Sequence, residues 1–408
     1  MRVALVLLGL LAGCAQLQPV DLPAEQAPAR AQAAHWDAID QREGGNDWFV
    51  VLNEGQMALD WRLRAIDSAT ESIELQTVLW SLDTTGTLVM SHLLAAAERG
   101  VRVRLLIDDS FLVDKSADTL VLAEHPRIDY RVFNPYKRRS SNVVLREVLN
   151  LAEFHRLDHR MHNKAMIVDG RVAIVGGRNL ADEYFGLHGQ ANFRDMELLV
   201  GGPVVDSVIG EFMTYWNDEW SIPAEQLSQG VVRKSEPAPP ATPADPGLHR
   251  ELSFEELRDA WLALADQALP GKARVLADPP PDDNLVEGSY VATRTADEIR
   301  ELLDQAEQEI TILSAYLIPT PALEETLARA VERGVRVRLL TNSIRSNNHL
   351  IAHSAYRNHI SNLLSSGVEL HEVRIDAEGR HVYMRSPVTD KSLALHAKTL
   401  VVDNDAVF

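Results

Sequence analysis

From residue 45 onward, apolar runs of strand length alternate with segments of helical period. Residues 72–79 (SIELQTVL) predict a strand and residues 87–99 a helix. Gly100 stops that helix, and residues 101–107 predict a buried strand. The order returns later: a strand over 309–315, a helix over 322–333, a stop at Gly334 and a strand over 335–340. Such alternation predicts an α/β sandwich on a mostly parallel or mixed sheet. Between the two series lies SEPAPPATPADPG (235–247), whose five prolines fit neither a helix interior nor a sheet. The pattern therefore divides the chain into a first domain over 46–222, a linker over 223–248 and a second domain over 249–408.

The two series are copies. ERGVRVRLL occurs at 98–106 and again at 332–340, an offset of 234 residues. At the same offset, His162, Lys164 and Asp169 in HNKAMIVD match His396, Lys398 and Asp403 in HAKTLVVD. Both octapeptides read H-x-K-x4-D, and each histidine lies 62 residues after the glycine of its nonapeptide. One chemical motif held twice in register predicts a duplicated fold with one site between its halves. At this offset Phe408 answers to Ile174, so the second copy is expected to be incomplete, lacking a strand and part of its cover.

Composition adds location. With 408 residues and 46% hydrophobic content the chain can build two cores. A net charge of −19 lacks the basic footprint of a nonspecific nucleic-acid binder. Arg2 and the apolar run Val3 to Ala12 have the form of an export signal, too short to cross a bilayer as a helix. Leu11-Ala12-Gly13-Cys14 looks like a bacterial lipoprotein processing site, with the only cysteine of the chain at the acceptor position. The expected division is a signal peptide over 1–13, then a flexible tether over 14–45, rich in Ala, Gln and Pro, with a reach of roughly 30 Å. The expected location is the bacterial envelope, lipid-anchored through Cys14 and facing the periplasm. Gln16 is not an acidic retention residue and favours the outer membrane of a Gram-negative source.

Residues two apart on an extended strand share a face, so His162 points with Lys164 and His396 with Lys398. Asp169-Gly170 and Asp403-Asn404 suit tight turns. Two imidazoles and two ammonium groups in one cleft form a phosphate site in which the lysines balance phosphoryl charge. One imidazole can attack phosphorus while the other protonates the leaving alcohol. A rival is a metal site from His155, His159 and His162, spaced four and three apart; the strand pattern claims His162, and no cysteine is available there. Tyr136 to Arg139 form a local basic run that is either a solvated loop or a contact for lipid phosphates. Tyr316, in SAYLIPT, is expected to pack near the cleft.

These residues resemble the phospholipase D superfamily, whose signature is the His-Lys-Asp motif in two copies. Gly176-Gly177-Arg178-Asn179 is similar to the glycine-containing segment that follows the first motif in that family. Within the superfamily the chain resembles bacterial cardiolipin synthases of the C type, on RVFNPYKRR (131–139), the stretch 160–186, FRDMELLVGGPVV (193–205), LTNSIRSNN (340–348), GVELHEVR (367–374) and LHAKTLVVD (395–403). The resemblance implies two tandem α/β/α sandwich domains. It also implies a catalytic set of His162, Lys164, Asp169, His396, Lys398 and Asp403, with no cofactor and no metal.

The implied chemistry is phosphatidyl transfer through a phosphohistidine. His162 serves as nucleophile and His396 as general acid then base, or the two exchange. Lys164, Lys398 and Asn179 hold phosphate oxygens, and Asp169 and Asp403 orient motif neighbours or brace the turns. The implied partners are phosphatidylglycerol, phosphatidylethanolamine and a membrane surface, with no nucleic acid. Three alternatives stand beside this reading. Water as acceptor makes a phospholipase D hydrolase; another phosphodiesterase uses the same motifs; and the incomplete second copy suits a non-catalytic envelope lipoprotein.

Overall fold

The computed structural model describes residues 17–42, 44–111, 122–138, 143–157, 159–227, 250–280 and 294–408. Ten strands belong to the first half: β1 Asp47–Leu52, β2 Ser72–Thr77, β3 Arg102–Asp108, β4 Ile128–Phe133, β5 Ala165–Val168, β6 Val172–Gly176, β7 Ala191–Arg194, β8 Glu197–Gly201, β9 Ser221–Pro223 and β10 Leu269–Gly271. The second half supplies β11 Glu309–Ser314, β12 Arg336–Asn342, β13 Glu369–Val373, β14 Ser392–Leu395, β15 Lys398–Val402 and β16 Ala406–Val407.

One sheet runs β10-β1-β8-β6-β5-β2-β3-β4-β9 and a second runs β13-β12-β11-β15-β16. In each, three strands are parallel (β2, β3, β4 and β11, β12, β13), and the motif strand pairs antiparallel with the first of them, β5 with β2 and β15 with β11. The expected duplication is thus present. Its local causes repeat as well. The helix Thr84–Glu98 starts at Asp83, whose carboxylate accepts from Gly86 N–H, and Pro321–Glu332 starts at Thr320, whose hydroxyl accepts from Leu323 N–H. Both helices end before a glycine in the left-handed region, Gly100 (φ 102°) and Gly334 (φ 92°), where a side chain would be strained.

The first sheet is covered on both faces. Helices Gly55–Ser68 and Thr84–Glu98 pack Leu63, Ile66 and Leu93 against Ile73, Leu75 and Leu105. Helix Val204–Trp216 packs Phe212 and Trp216 with Leu106, Ile167 and Val200 on the other side. In the second half, helices Arg294–Gln305, Pro321–Glu332 and Leu350–Arg357 enclose Ile310, Val337 and Leu339 on one face.

Two boundaries differ from the sequence expectation. Residues 17–42 do not behave as a tether: Ala31, Trp36 and Ile39 are buried in the first core, and Ala34–Arg42 is a helix. Along this strap Glu25 bonds Arg102 and Arg131, and Ala31 N–H donates to the Asp169 carbonyl. A few large anchors suffice to dock a segment whose average composition is that of a linker. Residues 250–271 also belong with the first half: helix Phe254–Ala265 buries Trp261 in its core, and β10 pairs with β1. Strand Ser221–Pro223 pairs with β4, so Pro223, placed at the start of the linker, still belongs to the first sheet. The proline run and Cys14 lie outside the described residues. Among the described residues no helix is long and apolar enough to cross a membrane.

Candidate active site

The parallel strands of each half all point their C-terminal ends the same way, and each motif histidine sits there because its strand runs antiparallel to its neighbour. At the end of β3, Asp108 accepts from Met161 N–H at 3.0 Å, the residue before His162. The same carboxylate takes both Nε and Nη2 of Arg160, at 3.0 and 2.8 Å. At the end of β12, Asn342 stands at the equivalent position. Its amide donates to the Leu395 carbonyl and accepts from Leu395 N–H, the residue before His396. The two histidines are therefore held by the ends of equivalent strands.

A third, two-stranded sheet joins the halves. β7 and β14 pair in parallel, Ala191 with Ser392 through Arg194 with Leu395. His396 N–H then donates to the Arg194 carbonyl at 2.9 Å. One residue on, His396 Nδ1 donates to Asp195 Oδ2 at 2.6 Å. Asp195 is 1% exposed and fits only because Gly177 faces it: a Cβ there would lie 2.3 Å from Asp195 Oδ1. Arg178, also buried, fixes the Asp195 carbonyl at 2.7 Å and reaches Glu197, which is shared with Arg62. The glycine pair and the arginine of the GGRN segment thus shape a seat for Asp195.

Charge in this cleft is compressed. Burial and then the charge of Lys398 bring Lys164 down to about 8. Burial likewise brings Lys398 to about 8, against the opposing pull of Asp195. Desolvation lowers the imidazoles of both His162 and His396 below their ordinary value; for His396 the Asp195 carboxylate resists the shift, and the lysines add to it. Burial alone would raise Asp195, but its bond to His396 and the charges of His396, Lys398 and Arg178 hold it below the usual carboxylate range. That Lys398 acts on His162 and Lys164 acts on His396 shows the two motifs sharing one electrostatic site.

The ring nitrogens are already sorted. His162 Nδ1 donates to the Arg160 carbonyl at 3.2 Å, which leaves Nε2 unprotonated in the neutral ring. Lys398 Nζ lies 3.0 Å from His396 Nε2, and Lys164 Nζ donates to the His162 carbonyl at 2.7 Å. Tyr184 stands edge-on to His396 with centroids 5.0 Å apart, and Tyr316 lies farther out at 6.3 Å. Asn179 is buried; its Nδ2 donates to the Tyr184 hydroxyl, and its Oδ1 has no partner among the described residues.

Asp169 and Asp403 stand apart from this cluster. Each follows its strand, about 20 Å of extended chain from its histidine. Asp169 accepts from the backbone N–H of Thr70, Glu71 and Ser72 and from Trp36 Nε1. Asp403 accepts from Glu307, Gln308 and Glu309. They brace the starts of the neighbouring strands and do not reach the reacting groups. Of the basic run, Tyr136 is buried beneath the guanidinium of Arg146, while Lys137 is exposed. Among the described residues no group of three His, Cys, Asp or Glu side chains is arranged for a metal.

Sequence reasoning missed Asp195, Asp108, Asn342 and Tyr184. Asp108 and Asn342 carried a signal, since each lies two residues after its copy of the repeated nonapeptide. Asp195 carried none of that kind.

A duplicated α/β fold with paired His-x-Lys sets at the junction of its halves defines the phospholipase D-like class. The family model described as "Cardiolipin synthase, PLD-like domain" matches residues 63–216 and 299–408. Cardiolipin synthase C of Escherichia coli (strain K12) is 35% identical over 357 residues, 85% of this chain and 74% of that protein. A cardiolipin synthase of Oceanobacillus iheyensis is 23% identical, covering 90% of this chain and 61% of that one. Among solved structures, phosphatidylserine synthase of Haemophilus influenzae Rd KW20 superposes with a TM-score of 0.54 at 14% identity, over 91% of this chain and 80% of that chain, and so shares the fold. The chain belongs to the phospholipase D-like family of the cardiolipin synthase type, as the resemblance drawn from the motifs implied.

Proposed function

We propose that this protein is a membrane-associated phosphatidyltransferase that makes cardiolipin from phosphatidylglycerol and a phospholipid donor through a phosphohistidine. The observation that carries the reading is the seating of His396 against Asp195 of the other half, in a cleft whose charge it shares with His162, Lys164 and Lys398. Its similarity to cardiolipin synthases of two bacteria supports a phospholipid as the substrate class.

His162 Nε2, with its lone pair free, attacks the donor phosphorus. The bond from phosphorus to the head-group oxygen breaks, and His396 Nε2 delivers the proton that oxygen takes. Asp195 supports this role, because a carboxylate on Nδ1 stabilises the imidazolium that must form first. Lys164 and Lys398 balance charge on the equatorial oxygens. Asn179 joins them when its amide turns to present Nδ2. A phosphatidylglycerol hydroxyl then loses its proton to His396 and attacks phosphorus, the P–N bond breaks, and both imidazoles return to their starting state. Cys14 is the proposed lipid anchor, holding the enzyme to the envelope on its periplasmic side.

The test is product analysis from labelled phosphatidylglycerol with phosphatidylethanolamine, for wild type beside His162→Ala and His396→Ala. Cardiolipin from the wild type alone supports the reading. Phosphatidic acid in its place would identify water as the acceptor and a hydrolase; no product from the wild type would sink both.

A further inference from the structure

Most globular surfaces scatter their exposed apolar side chains. Here many of them follow the strand ends that carry the histidines. In the first half Phe111 follows β3, and Val148 and Leu151 lie on the excursion after β4; these side chains are 60%, 63% and 70% exposed. In the second half Ile318 follows β11, and Leu350 and Ile351 follow β12, with Ile351 88% exposed. Contacts tie these loops to the site: Ser110 bonds Arg160, and Tyr316, which faces His396, bonds Asn348 beside Leu350. Lys137 and Arg345 are exposed on the same excursions, in a chain of net charge −19.

The strap gives an independent observation. Leu17 N–H donates to Glu153 Oε1 at 2.6 Å, two residues from Leu151. Two residues separate Leu17 from Cys14, and three residue steps span at most about 11 Å in any conformation. Leu17, the described residue nearest in sequence to the proposed acyl anchor, is therefore held beside the rim of the cleft, and residues 17–42 do not serve as a tether between the two.

We infer that the mouth of the cleft is a bilayer-docking surface: the aliphatic side chains of both halves enter the interfacial layer of a phospholipid membrane while Lys137 and Arg345 meet its anionic head groups. This rests on the phosphatidyltransferase reading only for its purpose, since it delivers head groups to the histidines without lifting a lipid from the bilayer. The docking itself is measurable without turnover.

The experiment uses the full chain carrying Cys14→Ser, so that no acyl chain masks the surface, and vesicles of equal phosphatidylglycerol and phosphatidylethanolamine. Sedimentation should show at least tenfold weaker partitioning for Val148→Asp/Leu151→Asp and for Leu350→Asp/Ile351→Asp. Leu269→Asp, an exposed apolar residue on edge strand β10 toward the Asp169 end of the sheet, should leave it unchanged. Turnover of vesicle lipid should fall with partitioning, while turnover of a monomeric short-chain phosphatidylglycerol stays within twofold. Unchanged partitioning in both rim pairs, or an equal loss in Leu269→Asp, overturns the inference. So does a dimer that the rim substitutions dissociate without affecting vesicle binding, which would give the surface to a second copy of the chain. Rim-dependent partitioning with no turnover of either lipid form would refute the transferase reading and leave the docking surface standing.

Discussion

The two halves carry the same motif in unlike surroundings. In the first, Asp169 is fully buried, with Trp36 of the strap closing over its carboxylate. In the second, Asp403 makes the same backbone bonds at the surface. The strand end before His162 carries an ion pair, buried Asp108 with half-buried Arg160 at 2.8 Å, whereas Asn342 does the equivalent work uncharged. His396 has a carboxylate behind its ring and His162 a carbonyl. Duplication thus preserved the backbone geometry that aims the histidines, and the charges around them diverged. Geometry is the shared requirement of both imidazoles; electrostatics is where an acid and a nucleophile must differ.

The sharpest way to break this contrast is Asp195→Asn. The amide keeps the shape but cannot stabilise an imidazolium, so phosphatidyl transfer should fall roughly 10²–10⁴-fold with the fold intact. A loss below tenfold would show that the carboxylate is structural and that the two histidines are electrostatically equivalent. Next in size is Asp169→Ala, which orphans three backbone N–H groups and the Trp36 indole. It should cost about 3–5 kcal/mol by denaturant unfolding. Asp403→Ala opens its cap to water and should lower the midpoint far less. Equal losses would mean that the strap adds nothing to the first brace. Smaller again is Asp108→Asn, which makes the first strand end resemble the second. Leaving Arg160 with neutral partners should cost about 2 kcal/mol, while Asn342→Ser, which keeps no amide for Leu395, should lower activity more than stability.

What the sequence made legible follows from how far each signal reaches. The glycine stops, the nonapeptides and the motifs are local and repeated, so the duplicated sandwich and its histidines could be placed from them. Asp195 meets His396 across 201 residues, through a pairing of β7 with β14 that no local period announces. The strap was hidden for another reason. Trp36 and Ile39 are two anchors among Ala, Gln and Pro, and an average over thirty residues reports the background. β10 and the helix carrying Trp261 lie beyond the proline run, so the sequence order assigned them to the wrong half.

The smallest effect concerns the lysines, and it tests whether the cleft is as dry in one half as in the other. Both ammonium groups are held near 8, so each is charged below that pH and neutral above it. A site that needs positive charge on phosphate should therefore lose kcat/KM as pH rises through about 8, well before a solvated lysine would titrate. Lys164→Arg keeps its charge across the whole range, because guanidinium stays protonated to about pH 12 and beyond. That variant should be slower at neutral pH, since its fork differs from an ammonium in shape, yet its alkaline fall should be shallower, with only Lys398 left to titrate. Lys398→Arg should do the same from the other side. An alkaline limb that stays near 10 in the wild type would mean that water reaches both lysines. The desolvation assigned to the junction between the halves would then be lost, and with it the reason for charges in one motif to act on the other.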